Sequence, residues 1–275
     1  MKLLACDMDG TLLTPSGKLP DGFWELMDDI AEENRSRRSE DAIIFLPASG
    51  RSLPTLRGLF TPSGQSPALD YFLAGNGCVL SSHGVVETVA RIEPEVATRV
   101  LEAAASYPQK LWVIMHFPER TVAPRDPEFL EFLTHYTTHL AVVDSLADVD
   151  LNNVVNMSIY QPEDPSHGPW DYIRNEFPEL EVLESSGDWC DIMPPNVDKG
   201  TGLEFIKAKL GMTTQETFCF VDYFNDVGLI APSGRSFAMS NAHPDVKAAC
   251  TDIIGSNAEG AVVTTIRDGL KQGWL

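Results

Sequence analysis

The chain reads as a mixed α/β protein, a doubly wound parallel-sheet (Rossmann-like) core carrying an inserted α/β unit. Three observations predict this. Short apolar runs alternate with helix-patterned stretches in the first and last thirds of the sequence, the pattern of βαβ units around a parallel sheet. The middle third has its own strand-like and helix-like segments, so it reads as an insertion. Finally, the apolar runs of the outer thirds end in short polar residues, where ligands bind in open α/β sheets.

The elements follow in order. Leu3–Cys6 is a buried strand and Gly22–Asn34 a helix, with Phe23, Leu26, Met27 and Ile30 at helical spacing. Ala42–Leu46 is a second strand, Leu53–Leu59 a short helix and Tyr71–Ala74 a third core strand. In the middle, strands are expected at Val85–Val89, Leu111–His116, Val154–Tyr160 and Leu180–Leu183. Helices are expected at Pro94–Ser106, Pro127–His139 and Trp170–Glu176. Turn formers fill Thr61–Pro67 and Pro162–Pro169. The last third predicts a helix at Gly200–Leu210 ended by Gly211, then strands at Thr217–Val221, Ser236–Met239 and Asp252–Ile254. Helices at Asp245–Ala249 and Ala258–Asp268 complete it. The expected division is a core of residues 1–78 plus 190–275 and an inserted unit of residues 79–189.

Hydrophobic residues make up 43% and charged residues 22% of the chain, enough apolar content for a sizeable buried core. No apolar run approaches the ~18 residues of a membrane span. Asp7 follows the first apolar run too soon for a signal peptide; the expectation is a cytoplasmic protein, a monomer or small homo-oligomer. The net charge of −20 opposes nucleic acid and anionic membrane as partners, since both need clustered Lys and Arg. Five cysteines, at 6, 78, 190, 219 and 250, contain no C-x-x-C pair and read as reduced, buried thiols.

The chemistry gathers at the strand ends. Asp7 and Asp9 follow the first strand, Ser49 and Arg51 the second, Asn76 the third, and Asp222, Asn225 and Asp226 follow Thr217–Val221. Several carboxylates in one crevice repel one another unless a cation holds them, and hard oxygen donors suit Mg²⁺. A strand-end aspartate is a candidate nucleophile. Asp9, two residues on, can pass a proton to and from the reacting oxygens. Gly10 permits the tight turn. Lys199 and the Ser49 hydroxyl are suited to the non-bridging oxygens of a transferring phosphoryl group.

These residues carry a resemblance. Asp7-Met8-Asp9-Gly10-Thr11-Leu12-Leu13 resembles the first motif of the haloacid dehalogenase superfamily of phosphotransferases. Ala48-Ser49-Gly50-Arg51 resembles its second, Val197-Asp198-Lys199-Gly200 its third, and Val221-Asp222-Tyr223-Phe224-Asn225-Asp226 its fourth. Gly75-Asn76-Gly77 and Ser240-Asn241-Ala242 resemble elements of the Cof-like branch, which bears a large α/β cap between the second and third motifs. The resemblance implies a Mg²⁺-dependent phosphatase acting on a small phosphorylated metabolite, such as a sugar phosphate, through an aspartyl-phosphate on Asp7. It implies that Asp9 is general acid/base, its main-chain carbonyl also touching the metal. Asp222 and Asp226 would be metal ligands, and Ser49, Gly50, Arg51, Asn76, Lys199 and Asn225 would bind substrate. Two positions depart from the pattern. Val221 replaces the usual glycine before Asp222, and Ser49 replaces the branch's threonine while keeping the hydroxyl.

Alternatives stand beside this reading. Asp7 to Thr11 could be only a turn, Ser49-Gly50-Arg51 a helix start, Asn225-Asp226 a helix cap and Gly75-Asn76-Gly77 a hairpin turn. His135 and His139, four apart on a helical stretch, could hold zinc but lack a third ligand. His116, Arg120 and Arg125 are candidate cap contacts to substrate. The rival functions are a phosphomutase using the same motifs and a ligand-binding protein without catalysis.

Overall fold

A computed structural model of the chain describes residues 1–61, 68–133, 139–161, 168–186 and 189–275. Its core is a five-stranded sheet in the order β14-β13-β12-β1-β2, parallel throughout. These strands are β1 (Lys2–Cys6), β2 (Ile43–Pro47), β12 (Thr217–Val221), β13 (Arg235–Ala238) and β14 (Asp252–Ile253). The central pair explains why the sequence reads as unbroken apolar runs: a parallel sheet is covered on both faces. Alternate residues of β1 serve opposite cores. Leu4 and Cys6 pack with Phe23, Leu26 and Ile30 of α1 (Phe23–Ser36) and Val262, Val263 and Ile266 of α8 (Ala261–Gln272). Leu3 and Ala5 pack on the other face with Leu203 and Ile206 of α6 (Lys199–Leu210) and Val246 of α7 (Pro244–Ala249). One strand thus ties two hydrophobic layers together.

Tyr71–Ala74 does not extend the parallel sheet as a further regular strand. As β3 it heads a three-stranded antiparallel sheet with β4 (Val79–Ser82) and β5 (Val85–Thr88), and a lone parallel bridge, Ala48 to Leu73, joins it to the end of β2. The Gly75–Gly77 turn therefore is a hairpin connection and also lies beside the residues that follow β2. The short helix α2 (Leu53–Leu59) lies between them in sequence.

The cap has its own six-stranded sheet, β10-β11-β9-β6-β7-β8, inserted between the core's halves. Its strands are β6 (Trp112–Phe117), β7 (Arg120–Pro124), β8 (Leu140–Val143), β9 (Asn156–Tyr160), β10 (Glu181–Ser186) and β11 (Trp189–Met193). One face, carrying Val113, Met115, Met157, Ile159 and Ile192, packs on α3 (Pro94–Ser106) and α5 (Gly168–Glu176) through Ala97, Val100, Trp170 and Ile173. The other face begins with an aromatic cluster under α4 (Pro127–Leu133), where Trp112 stacks on Phe129 at 4.9 Å between centroids. Three of the six strands, β7, β8 and β11, are absent from the sequence expectations. Their runs are short and carry Arg, Pro or Asp, which mask a period-2 pattern. The expected helix Pro127–His139 is seen as far as Leu133. His135 and the Pro162–Pro169 turn segment fall wholly or largely outside the described residues, as do residues 62–67 of the Thr61–Pro67 turn.

Four cysteines are buried and Cys250 is half-buried, all free thiols. Burial pushes the Cys78 and Cys219 thiols up to about 12, so neither is a thiolate at neutral pH. Among the described residues no helix is long and apolar enough to cross a membrane.

Candidate active site

The carboxyl ends of β1, β2 and β12 open on one crevice, as the topology requires. Asp7 follows β1 and is 5% exposed. The chain then turns at Gly10, whose φ is +84° and where a Cβ would collide with the Asp222 carboxylate. Only glycine lets the first and fourth motifs close to this separation. Thr11 Oγ1 donates to Asp222 Oδ1 at 3.0 Å. Asn241 Nδ2 donates to the Gly10 carbonyl at 2.7 Å, and Asn241 Oδ1 accepts from the Asn257 amide. Thr11 and Asn241 stand inside recognisable motifs, yet no pattern assigned them a task. Their contacts join segments more than 200 residues apart, which no local spacing reveals.

Lys199 is the first residue of α6 and is fully buried. The helix is capped by Asp198 Oδ1, which accepts from Thr201 N at 2.7 Å. Its start is pressed against the Gly75–Gly77 turn: Gly77 has φ +99°, and a Cβ there would strike the Asp198 carbonyl. So docked, Lys199 Nζ donates to Asp7 Oδ1 and, at 2.6 Å, to Asp226 Oδ1. Asp226 Oδ2 accepts from the amides of Asp222 and Tyr223, each at 3.2 Å. The fourth-motif segment is thus a capped 3₁₀ turn at Phe224–Leu229 with its carboxylate aimed inward; capping and site roles coincide here.

Carboxylate oxygens of Asp7, Asp222 and Asp226 all lie within 4.8 Å of one another. Three carboxylates against one ammonium leave surplus negative charge in a dry pocket. The titration behaviour records it. Burial, then the charge of Asp226, pushes the Asp7 carboxyl well above the usual carboxylate range against the pull of Lys199. The same causes push Asp222 to about 6, opposed by the Thr11 hydrogen bond. Burial alone would lower the Lys199 pKa, but Asp226 and Asp7 outweigh it and hold the ammonium charged. Hard, converging oxygen donors with unbalanced negative charge fit a divalent cation of the Mg²⁺ type.

The Asp9 carboxylate stands outside this triad, mostly exposed, in a bidentate pair with Arg51: Nε donates to Oδ2 at 2.9 Å and Nη2 to Oδ1 at 2.7 Å. Ser49 is buried; its Oγ accepts from Arg51 N at 3.2 Å and its carbonyl from Asn76 N at 3.0 Å. Asn76 adopts a left-handed φ of +51°, and its buried amide faces Gly50 with Oδ1 lacking any partner. Asn225 is exposed on the rim. Asp7, Asp222, Asp226 and Lys199 therefore meet directly, Ser49, Gly50, Arg51, Asn76 and Asp9 form an adjoining wall, and Asn225 lies outermost. Of the three candidate cap residues, His116 is in a polar cluster of the cap sheet. Arg125 pairs with Asp144 on the surface, and Arg120 lies over the Phe117 ring.

A parallel core with an acidic triad and a buried lysine at its strand ends, closed by a separate cap sheet, is the architecture of a capped phosphotransferase. The chain belongs to the haloacid dehalogenase-like hydrolases, matching that family over residues 4–266, and is a capped phosphatase of the Cof-like branch. It is 26% identical to a 5-amino-6-(5-phospho-D-ribitylamino)uracil phosphatase of Bacillus subtilis, over 97% of this chain and 95% of the other. A solved structure from Thermotoga maritima superposes with a TM-score of 0.82 at 20% identity, covering 97% of each chain. A subclass IIB sugar phosphatase superposes with a TM-score of 0.76 at 18% identity, covering 98% of each chain.

Proposed function

We propose that this phosphatase is Mg²⁺-dependent and hydrolyses a small phosphate monoester, a sugar phosphate or close relative, through an aspartyl-phosphate on Asp7. The observation that carries the reading is the meeting of Asp7, Asp222 and Asp226 with Lys199 as the one cation among them. The ribityl-phosphate and sugar phosphatases to which the chain is similar support the substrate class.

Asp7, Asp222, Asp226 and the Asp9 carbonyl would hold the ion. Bound there, Mg²⁺ would neutralise the carboxylates and the charge on the phosphoryl oxygens. An Asp7 carboxylate oxygen attacks phosphorus, the bond to the ester oxygen breaks, and Asp9 gives that oxygen its proton. Lys199 and the Ser49 hydroxyl bind the non-bridging oxygens, with Gly50, Asn76 and Asn225 completing the cradle. Arg51 orients Asp9 and faces the phosphoryl group. Water then attacks phosphorus as Asp9 takes its proton; the bond to Asp7 breaks, inorganic phosphate leaves and the carboxylate is restored. The cap, assigned to residues 79–189, excludes bulk water and meets the leaving group.

The test is phosphate release from sugar phosphates and phenyl phosphate, with and without Mg²⁺, for wild type and Asp7→Asn. Mg²⁺-dependent release abolished in the variant supports the reading. Release that survives in Asp7→Asn, or that beryllium fluoride with Mg²⁺ leaves untouched, sinks the aspartyl-phosphate. Transfer of phosphate to a second hydroxyl, with no free phosphate, would instead indicate a mutase.

A further inference from the structure

The face of the cap sheet that α3 and α5 leave uncovered is divided. Its far half is the aromatic cluster under α4. Its near half is polar: His116, Thr121, Asn156, Ser158 and Asp191 occupy matching register positions on β6, β7, β9 and β11. His116 Nδ1 lies 3.2 Å from Thr121 Oγ1, and Nε2 lies 3.0 Å from Ser158 Oγ. Ser158 Oγ donates to Asp191 Oδ1 at 2.6 Å.

Those partners set the direction of every proton. Asp191 only accepts, so Ser158 must donate to it and accept from His116 Nε2–H; Nδ1 is then the acceptor for the Thr121 hydroxyl. Burial pushes the His116 pKa down to about 4, in keeping with the neutral ring this chain of bonds requires. The relay runs Thr121 to His116 to Ser158 to Asp191, and its free lone pairs make it a set of acceptors.

Two contacts place it at the mouth of the crevice. Asn156, directly opposite His116 on the same face, has Nδ2 3.9 Å from where a Cβ on Gly75 would stand, next to Asn76. Three residues beyond His116, Glu119 pairs with Arg57 of α2 at 3.5 Å. Asn156 is 3% exposed, and its Oδ1, like that of Asn76, has no hydrogen-bond partner. Buried acceptors without donors cost free energy, and two of them face each other across the junction of cap and core.

Building on the phosphatase reading, we infer that the His116–Ser158–Asp191 relay, with Asn156, is the specificity element of this enzyme, accepting hydrogen bonds from the hydroxyls of a neutral polyol leaving group. A set of acceptors rewards hydroxyl donors, gives nothing to a bare aryl group and repels a second anion. A site built for hydroxyls rejects analogues lacking them far more strongly than an apolar pocket rejects a changed methylene, because its polar groups are left unpaired.

The experiment compares kcat/KM for glucose 6-phosphate, sorbitol 6-phosphate and phenyl phosphate in wild type, His116→Asn and Ser158→Ala, with thermal melts to confirm folding. The expected result is a fall of about tenfold or more in the polyol-to-phenyl ratio, chiefly through KM. Equal losses on all esters would make the relay structural and overturn the inference, as would a wild-type ratio no different from the variants'. Calorimetric binding of glucose 6-phosphate and sorbitol 6-phosphate to Asp7→Asn, with and without His116→Asn, separates this from the chemistry. Weaker binding in the double variant supports the relay even if no ester is hydrolysed; unchanged or undetectable binding to both proteins overturns it.

Discussion

Lys199 Nζ donates to Asp226 Oδ1 at 2.6 Å with neither side chain exposed to solvent, so one buried ammonium steadies a carboxylate from the fourth motif while also holding Asp7. Lys199→Met removes the only cation of the pocket. Breaking a buried ion pair from one side costs about 3–5 kcal/mol, so the variant should unfold at markedly lower denaturant. Phosphate release should fall by about 10²–10³ with the loss of phosphoryl stabilisation. Urea titrations with and without Mg²⁺ check this; Mg²⁺ should restore part of the stability and none of the turnover.

The Asp9–Arg51 pair is exposed enough that its own contribution to stability is small, about 0–1 kcal/mol. Asp9→Asn should therefore melt like wild type while turnover drops by about 10²–10⁴, the usual worth of general acid/base help. Calorimetric Mg²⁺ titration should give unchanged affinity, because the Asp9 carboxylate lies outside the acidic triad. A lost Mg²⁺ signal would reassign that carboxylate to the metal.

Gly10→Ala places a methyl group in the Asp222 carboxylate at a left-handed φ. The conformational cost alone is about 1–2 kcal/mol, and the collision adds to it. The measurable outcomes are a lowered Tm and weaker Mg²⁺ binding, since Asp222 must move. Wild-type Mg²⁺ affinity in this variant would show that the turn yields instead.

His116 has a sign that can be worked out. Its folded pKa, lowered by burial to about 4, lies below the ordinary unfolded value near 6.5, so the unfolded chain binds the extra proton first as pH falls. Its full contribution to stability is present above pH 6.5, declines between 6.5 and 4, and is wholly lost below 4. At about 1.4 kcal/mol per unit the loss is at most on the order of 3 kcal/mol. The difference in unfolding free energy between wild type and His116→Gln, followed from pH 7 to 4, should shrink across that window. A difference independent of pH would refute it.

The core was legible because its strands are buried on both faces and end in chemistry: Leu3–Cys6 before Asp7 and Thr217–Val221 before Asp222 announce strand and site together. Tyr71–Ala74 looked the same, but whether an apolar run pairs parallel or antiparallel depends on its neighbours. Gly75–Gly77 turns it back on Val79–Ser82. The cap was less legible. Its strands β7, β8 and β11 carry polar residues on the crevice side, and Thr121 and Asp191 break the apolar pattern because they belong to the relay. In the site, residue types and spacing pointed to Asp7, Asp222, Asp226 and Lys199. The Asp9–Arg51 pair and the Asn241 hydrogen bond depend on how distant loops meet, and only coordinates display that.

Strand β1 sits between β2 and β12, and its partner residue for Leu3 is Thr217. During synthesis β1 therefore leaves the ribosome roughly 200 residues ahead of one of its two neighbours, about 10–40 s at ordinary elongation rates. Through that interval the hydrogen-bonding edge of an almost wholly apolar strand is open, the situation that invites pairing with another chain. Lys199, Asp222 and Asp226 also arrive late, so the nascent chain holds Asp7 without the lysine that steadies it. Catalytic competence and protection of the central strand are delivered by the same late segment. A partly made chain is both inert and adhesive, and release from both conditions comes in a single closing event.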